Sequence, residues 1–206
     1  MGLITLFFRS PLLFFMVAIP LLYSIIAHEV AHGWAAYLFG DDTAKRTGRL
    51  SLDPMQHLDP MGTLMLFFVG FGWAKPVPVD FYRLRPQRLG MICVSLAGCL
   101  TNIVIAAVAL SLLKSRVVGA NTAPAAVLMV VARINIILGA LNLIPIPPLD
   151  GSRILTGLLP PDAQRALARI EPYGFFILVI MLFTGLLDPV IFLVQKVIIG
   201  LLSVVL

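Results

Sequence analysis

The chain reads as an all-α polytopic membrane protein, a helical bundle of about five to six transmembrane segments. Three observations carry that reading. Of its 206 residues 60% are hydrophobic and 12% charged, where a soluble domain is nearer half and a quarter. The mean hydropathy is +1.01. The apolar residues also fall in long runs broken by short polar, proline- or glycine-marked stretches, rather than in alternating pairs. The length suits one compact transmembrane domain over residues 1–206.

The first helix is expected over about residues 11–39, with Pro20 inside it as a kink and "FGDD" ending it at a Gly40 cap. Residues 41–60 form a polar connector rich in turn formers. Residues 61–72 are apolar but too short to span, and the prolines of "WAKPVPVD" forbid a helix after them. Residues 61–80 therefore read as a re-entrant or interfacial hairpin, tolerated at membrane depth only beside protein or a wet cavity. Within it Trp73 suits an interfacial belt, and Lys75 a snorkelling anchor. A second span follows over about residues 89–113 and a third over about 125–143, which "IPIPPLDG" ends sharply. Residues 152–172 are polar, and "PPDAQRALARIEP" (160–172) is expected as a short surface helix. Asp188-Pro189 divides the closing apolar stretch, residues 173–187 and 190–206, into two short spans or one broken one. The opening "MGLITLFFRSP" lacks the charged start and cleavage site of a secretory signal.

The net charge of +5 does not point to nucleic acid, because no basic stripe or interleaved aromatic set accompanies it. It orients the chain in the bilayer instead. The 41–88 connector holds seven basic residues and the 152–172 connector three; Arg9, Lys114 and Arg116 fall on the other side. That asymmetry puts both connectors in the cytoplasm, with the first helix running inwards. Cys93 and Cys99 have no zinc or redox spacing and read as packing residues.

"HEVAH", residues 28–32, places three ionisable groups inside the first span, where they are costly and rarely idle. His28 and His32 are four apart, so on a helix they lie within about 40° of each other and can reach one metal ion. Glu29, beside the first ligand, can accept a proton from a metal-activated water. A catalytic zinc needs a third protein ligand and an open position. Asp150 is the only acidic residue between Asp80 and Asp162, it follows the proline-rich break at the same membrane depth, and Gly151 permits close backbone approach. It is the favoured third ligand; the competing reading is an N-cap for the next helix. His57, a rival ligand, lies among turn formers and reads rather as a surface histidine.

Four ordered stretches, "HEVAH" (28–32), "GWAKPVPV" (72–79), "SLAGCLTN" (95–102) and "NLIPIPPLDG" (142–151), resemble the site-2 protease family of zinc intramembrane metalloproteases, peptidase family M50. The likeness is to the compact bacterial branch without PDZ or CBS domains. It implies one zinc ion bound by His28, His32 and Asp150, Glu29 as general base, a transmembrane protein or peptide as substrate, and a bacterial inner membrane with the site towards the cytoplasm. One departure stands out: Cys99 occupies the place of a proline in the family's A-G-P-x-x-N motif, so the residue that would kink the second span is absent. Asn102 and Asn142 are intramembrane amides that could bond an extended substrate backbone or a developing oxyanion, or else another helix. The competing function is a metal-binding membrane protein without peptidase activity, a zinc carrier or assembly partner. A carrier would place more carboxylates or histidines along its spans than this chain does.

Overall fold

In the computed structural model, residues 3–70, 72–115, 117–119 and 121–205 are described, the last without its side chain. Of the features above, Phe71 of the hairpin, Arg116 of the charge asymmetry and the terminal residues 1, 2 and 206 lie outside that set.

Among the described residues every regular element is helical. Helix α1 (Leu3–Arg9) leads through Ser10 into α2 (Pro11–Leu38), whose proline at the first position has no amide to lose. Pro20 sits inside α2, which continues past it. Gly40 follows the last turn at φ 98°, the left-handed conformation that ends helices and favours glycine. The connector is more ordered than its turn formers imply, with two single-turn helices, α3 (Thr43–Arg46) and α4 (Pro54–His57).

The expected hairpin consists of a short helix, α5 (Pro60–Phe68), started by the Asp59 side chain on the Gly62 amide, and an extended segment returning along it. Two glycines let them touch. A Cβ on Gly62 would lie 2.1 Å from the Trp73 carbonyl oxygen, and one on Gly72 would lie 2.2 Å from that of Gly62.

Helices α6 (Gln87–Lys114) and α7 (Ala123–Asn142) are the second and third spans. Cys99 lies buried within the single run of α6, where the resemblance would put a proline. The expected surface helix is α9 (Pro161–Ile170), and a further short helix, α8 (Asp150–Leu158), precedes it. A 3-10 turn at Glu171–Tyr173 joins α9 to α10 (Gly174–Phe183), and α11 (Asp188–Val205) closes the chain.

By length and composition, α2, α6, α7 and the continuous Pro161–Phe183 stretch, four among the described residues, can cross a membrane. Helix α11, with 18 residues, is about 27 Å long, close to the hydrocarbon thickness. It packs through Ile198 and Leu202 on Ala106 of α6 and on Ile136 and Ala140 of α7. Small residues at that contact bring the helices close together, which substitutes for the hydrophobic drive that lipid removes. The outer faces are apolar, as Leu12, Phe15 and Ile19 on α2 and Leu100, Val104 and Val108 on α6 illustrate. The inner faces are polar: Ser24, His28 and His32 of α2, Ser95 and Asn102 of α6, and Asn135 of α7 are all buried.

Candidate metal centre

His28 and His32 project from one face of α2, with ring centroids 4.5 Å apart. Each ring is fixed through Nδ1. His32 Nδ1–H donates to the Val94 carbonyl of α6 at 2.7 Å, and His28 Nδ1–H donates to Asn102 Oδ1 at 2.7 Å. The Asn102 amide is oriented by its other bonds, since Nδ2 donates to the Ser24 carbonyl (3.3 Å) and to Asn135 Oδ1 (2.8 Å). Both histidines are thereby held in the tautomer that leaves Nε2 with its lone pair outward, as a metal ligand requires.

Asp150 completes the group from the first turn of α8. The proline-rich break turns the chain there, and Gly151 permits close packing: a Cβ on it would lie 2.3 Å from the Leu143 carbonyl oxygen. Leu149, not Asp150, is the N-cap of α8, and the aspartate makes no capping bond. Its Oδ2 lies 3.1 Å from His28 Nε2 and 3.2 Å from His32 Nε2, and the two Nε2 atoms are 3.0 Å apart. A tetrahedral ion with bonds of about 2.0–2.1 Å sets its ligands about 3.3 Å apart. The triangle of two imidazole nitrogens and one carboxylate oxygen therefore fits zinc in size and in donor chemistry.

Gly98 of α6 makes room for this arrangement. A Cβ there would lie 2.5 Å from His32 Nε2 and 2.6 Å from His28 Cε1, so a side chain at this position would take space the two rings fill. Cys99, the next residue, puts Sγ 3.7 Å from Asp150 Oδ2.

Glu29 points to the extended segment. Its Oε2 accepts the Val77 amide at 2.9 Å. A cavity of about 540 Å³ opens beside it, reaching His28, Glu29 and Asn142 between apolar walls that include Trp73, Leu141 and Phe175.

Two expectations change. Asn102 is not a group facing substrate: it is 0% exposed, and its amide is taken up by His28, Ser24 and Asn135, so of its two readings the inter-helix bond is the observed one. Asn142 does line the cavity, its Nδ2 donating to Leu138 of its own helix. His57 is not a surface residue: it is 0% exposed, lies outside the ligand group and bonds the Ser51 carbonyl through Nε2. The connector folds back under the extended segment, where the Lys75 amide donates to the His57 carbonyl, and this buries it. Asn135 and Arg49 escaped sequence reading. Asn135 carried the same signal as Asn102, an amide inside an apolar run.

The profile of peptidase family M50 matches residues 115–185. A Bacillus subtilis protein named "Putative zinc metalloprotease YwhC" is 38% identical to the chain, over 82% of this sequence and 81% of its own. Proteins named "Putative zinc metalloprotease Rip2" from Mycolicibacterium smegmatis and Mycobacterium tuberculosis are 32% and 33% identical, over 85% and 82% of this chain and 69% and 66% of theirs. No solved structure gives a significant match. Apolar helices around a site of this kind define an integral-membrane metalloprotease. The chain belongs to the site-2 protease family, peptidase family M50, and is a zinc metalloendopeptidase.

Proposed function

We propose that the protein is an intramembrane endopeptidase that hydrolyses peptide bonds within or near transmembrane segments, using one zinc ion held by His28, His32 and Asp150. The observation that carries this reading is the ligand triangle at the edge of an apolar-walled cavity, with Glu29 on the cavity side. Zinc bound there supplies a Lewis acid that acidifies water towards a pKa of about 7 and polarises a carbonyl. Glu29 takes the proton of the attacking water and returns it to the leaving amine. The walls around Trp73, Leu141 and Phe175 suit an apolar segment whose helix has opened locally, and Asn142, which lines the cavity, would bond its backbone.

The catalytic unit is a single transmembrane peptidase domain. The site faces the cytoplasmic side of a bacterial inner membrane, because the basic connectors adjoin the end of α2 that carries the histidines and the break after α7 that leads to Asp150. Regulated cleavage of a membrane-tethered factor and clearance of signal-peptide remnants both fit this substrate class.

Two measurements test the reading. Purified wild type should hold about one zinc per chain, and His28→Ala and Asp150→Ala should lose it. Retention by Asp150→Ala would remove that ligand from the set. Glu29→Gln should keep zinc yet lose cleavage of a transmembrane peptide; unchanged cleavage would end the general-base assignment.

A further inference from the structure

Arg49, in the connector, is 9% exposed, and among the described residues no carboxylate pairs with it. A buried cation without a counter-ion is costly unless its surroundings accept its hydrogen bonds. The acceptors here are two carbonyls of the extended segment: Nη2 donates to Lys75 O at 2.8 Å and to Pro76 O at 3.2 Å. The second of these belongs to the peptide unit whose N–H, on Val77, donates to Glu29 Oε2 at 2.9 Å. One peptide plane thus joins a guanidinium at its carbonyl end to a carboxylate at its amide end. Both charges lie where the peptide dipole favours them, and each strengthens the opposite bond by polarising the unit between them.

We infer that Arg49 is a positioning residue for Glu29, acting through the Pro76–Val77 peptide. The inference rests on the reading of Glu29 as the general base. A neutral donor would suffice to tether two carbonyls; a cation also polarises the amide that holds the base. With Oε2 fixed by Val77, Oε1 is the oxygen that takes the proton from water. The prolines on either side of Val77 keep the segment extended and contribute no competing amide.

The experiment uses the zinc-loaded full-length protein in proteoliposomes, with a signal-peptide-derived transmembrane peptide carrying a fluorophore and quencher as probe. Arg49→Gln should lower kcat about 10–100-fold, the range typical of groups that orient a metal site, with KM within about twofold and zinc content unchanged. Arg49→Lys, which restores the charge without the fork, should recover part of the loss. Val77→Pro deletes the amide and leaves Arg49 in place; it should match Arg49→Gln, and the double variant should be no worse than either single one. Wild-type kcat in either Arg49→Gln or Val77→Pro, with Glu29→Gln inactive, overturns the inference and leaves the base assignment standing. Additive losses, or a rise in KM with kcat preserved, reduce Arg49 to a structural tether and equally overturn it. Should Arg49→Gln fail to fold, Val77→Pro decides alone. A fully active Glu29→Gln is a different failure, that of the base assignment itself.

Discussion

The two halves of the site are built by opposite means. The helical half, α2 against α6 and α7, places side chains by periodicity and closes on them mainly with side chains, His28 on Asn102, Asn102 on Asn135 and Asn135 on Ser24, with the Val94 carbonyl holding His32. The irregular half, the connector and the segment 72–80, presents backbone: the Val77 amide to Glu29, the Lys75 and Pro76 carbonyls to Arg49. The first half fixes the candidate ligands His28 and His32, and the second fixes Glu29 beside them. Metal binding and proton transfer are therefore expected to fail separately, and variants can be chosen to separate them.

The largest effect should come from Gly98→Ala in the helical half. Its added carbon needs space that both imidazole rings occupy, and the rings cannot retreat without breaking their Nδ1 bonds. Zinc content should fall well below stoichiometric, with activity lost in step; a fully loaded Gly98→Ala protein would show that the rings have room to move. Asn102→Ala should act more mildly. It removes the acceptor that sets the His28 tautomer and leaves His28, His32 and Asp150 in place, so competition with a chelator should report zinc binding weaker by about 10–100-fold. Unchanged affinity would mean that the Nδ1 bond is dispensable and that the helical half is held by packing alone.

The smallest effect lies at the root of the irregular half. Asp41 is buried, which by itself would raise the pKa of its carboxyl. Hydrogen bonds from the Thr43 hydroxyl, the Asp80 amide and the Thr43 amide, with Arg83 nearby, outweigh burial and hold it below the usual carboxylate range. Its contribution to stability is thus complete above the unfolded carboxylate pKa and disappears as pH falls through the lower folded value. Asp41→Asn should cost about 1 kcal/mol, a Tm lower by about 2–4 °C at neutral pH, and the gap from wild type should narrow in acid. Zinc content should stay at the wild-type level. A loss of metal in this variant would erase the distinction between the two halves.

What was legible in the sequence follows the same division. The three long spans and the pair His28 and His32 could be read because apolar runs and a four-residue spacing have a fixed meaning on a helix. Asp150 could be read because acidic residues are scarce there. The Arg49–Val77–Glu29 link could not, since a backbone amide carries no residue signature and its partner lies 48 positions away. His57 misled because local polarity predicts exposure, while a long-range bond to Lys75 decided it. Asn102 was recognisable as important but not in role, because nothing in a sequence says which neighbour an amide will face.

The chain of bonds through Ser24, Asn102 and Asn135 also fixes rotation. Three apolar cylinders in lipid can turn about their axes at little cost, since any face is as soluble as another. Turning α6 by one residue swings Asn102 through about 100° and leaves several polar atoms without partners in hydrocarbon. The amides thus work as a keyway, selecting one angular setting of α2, α6 and α7.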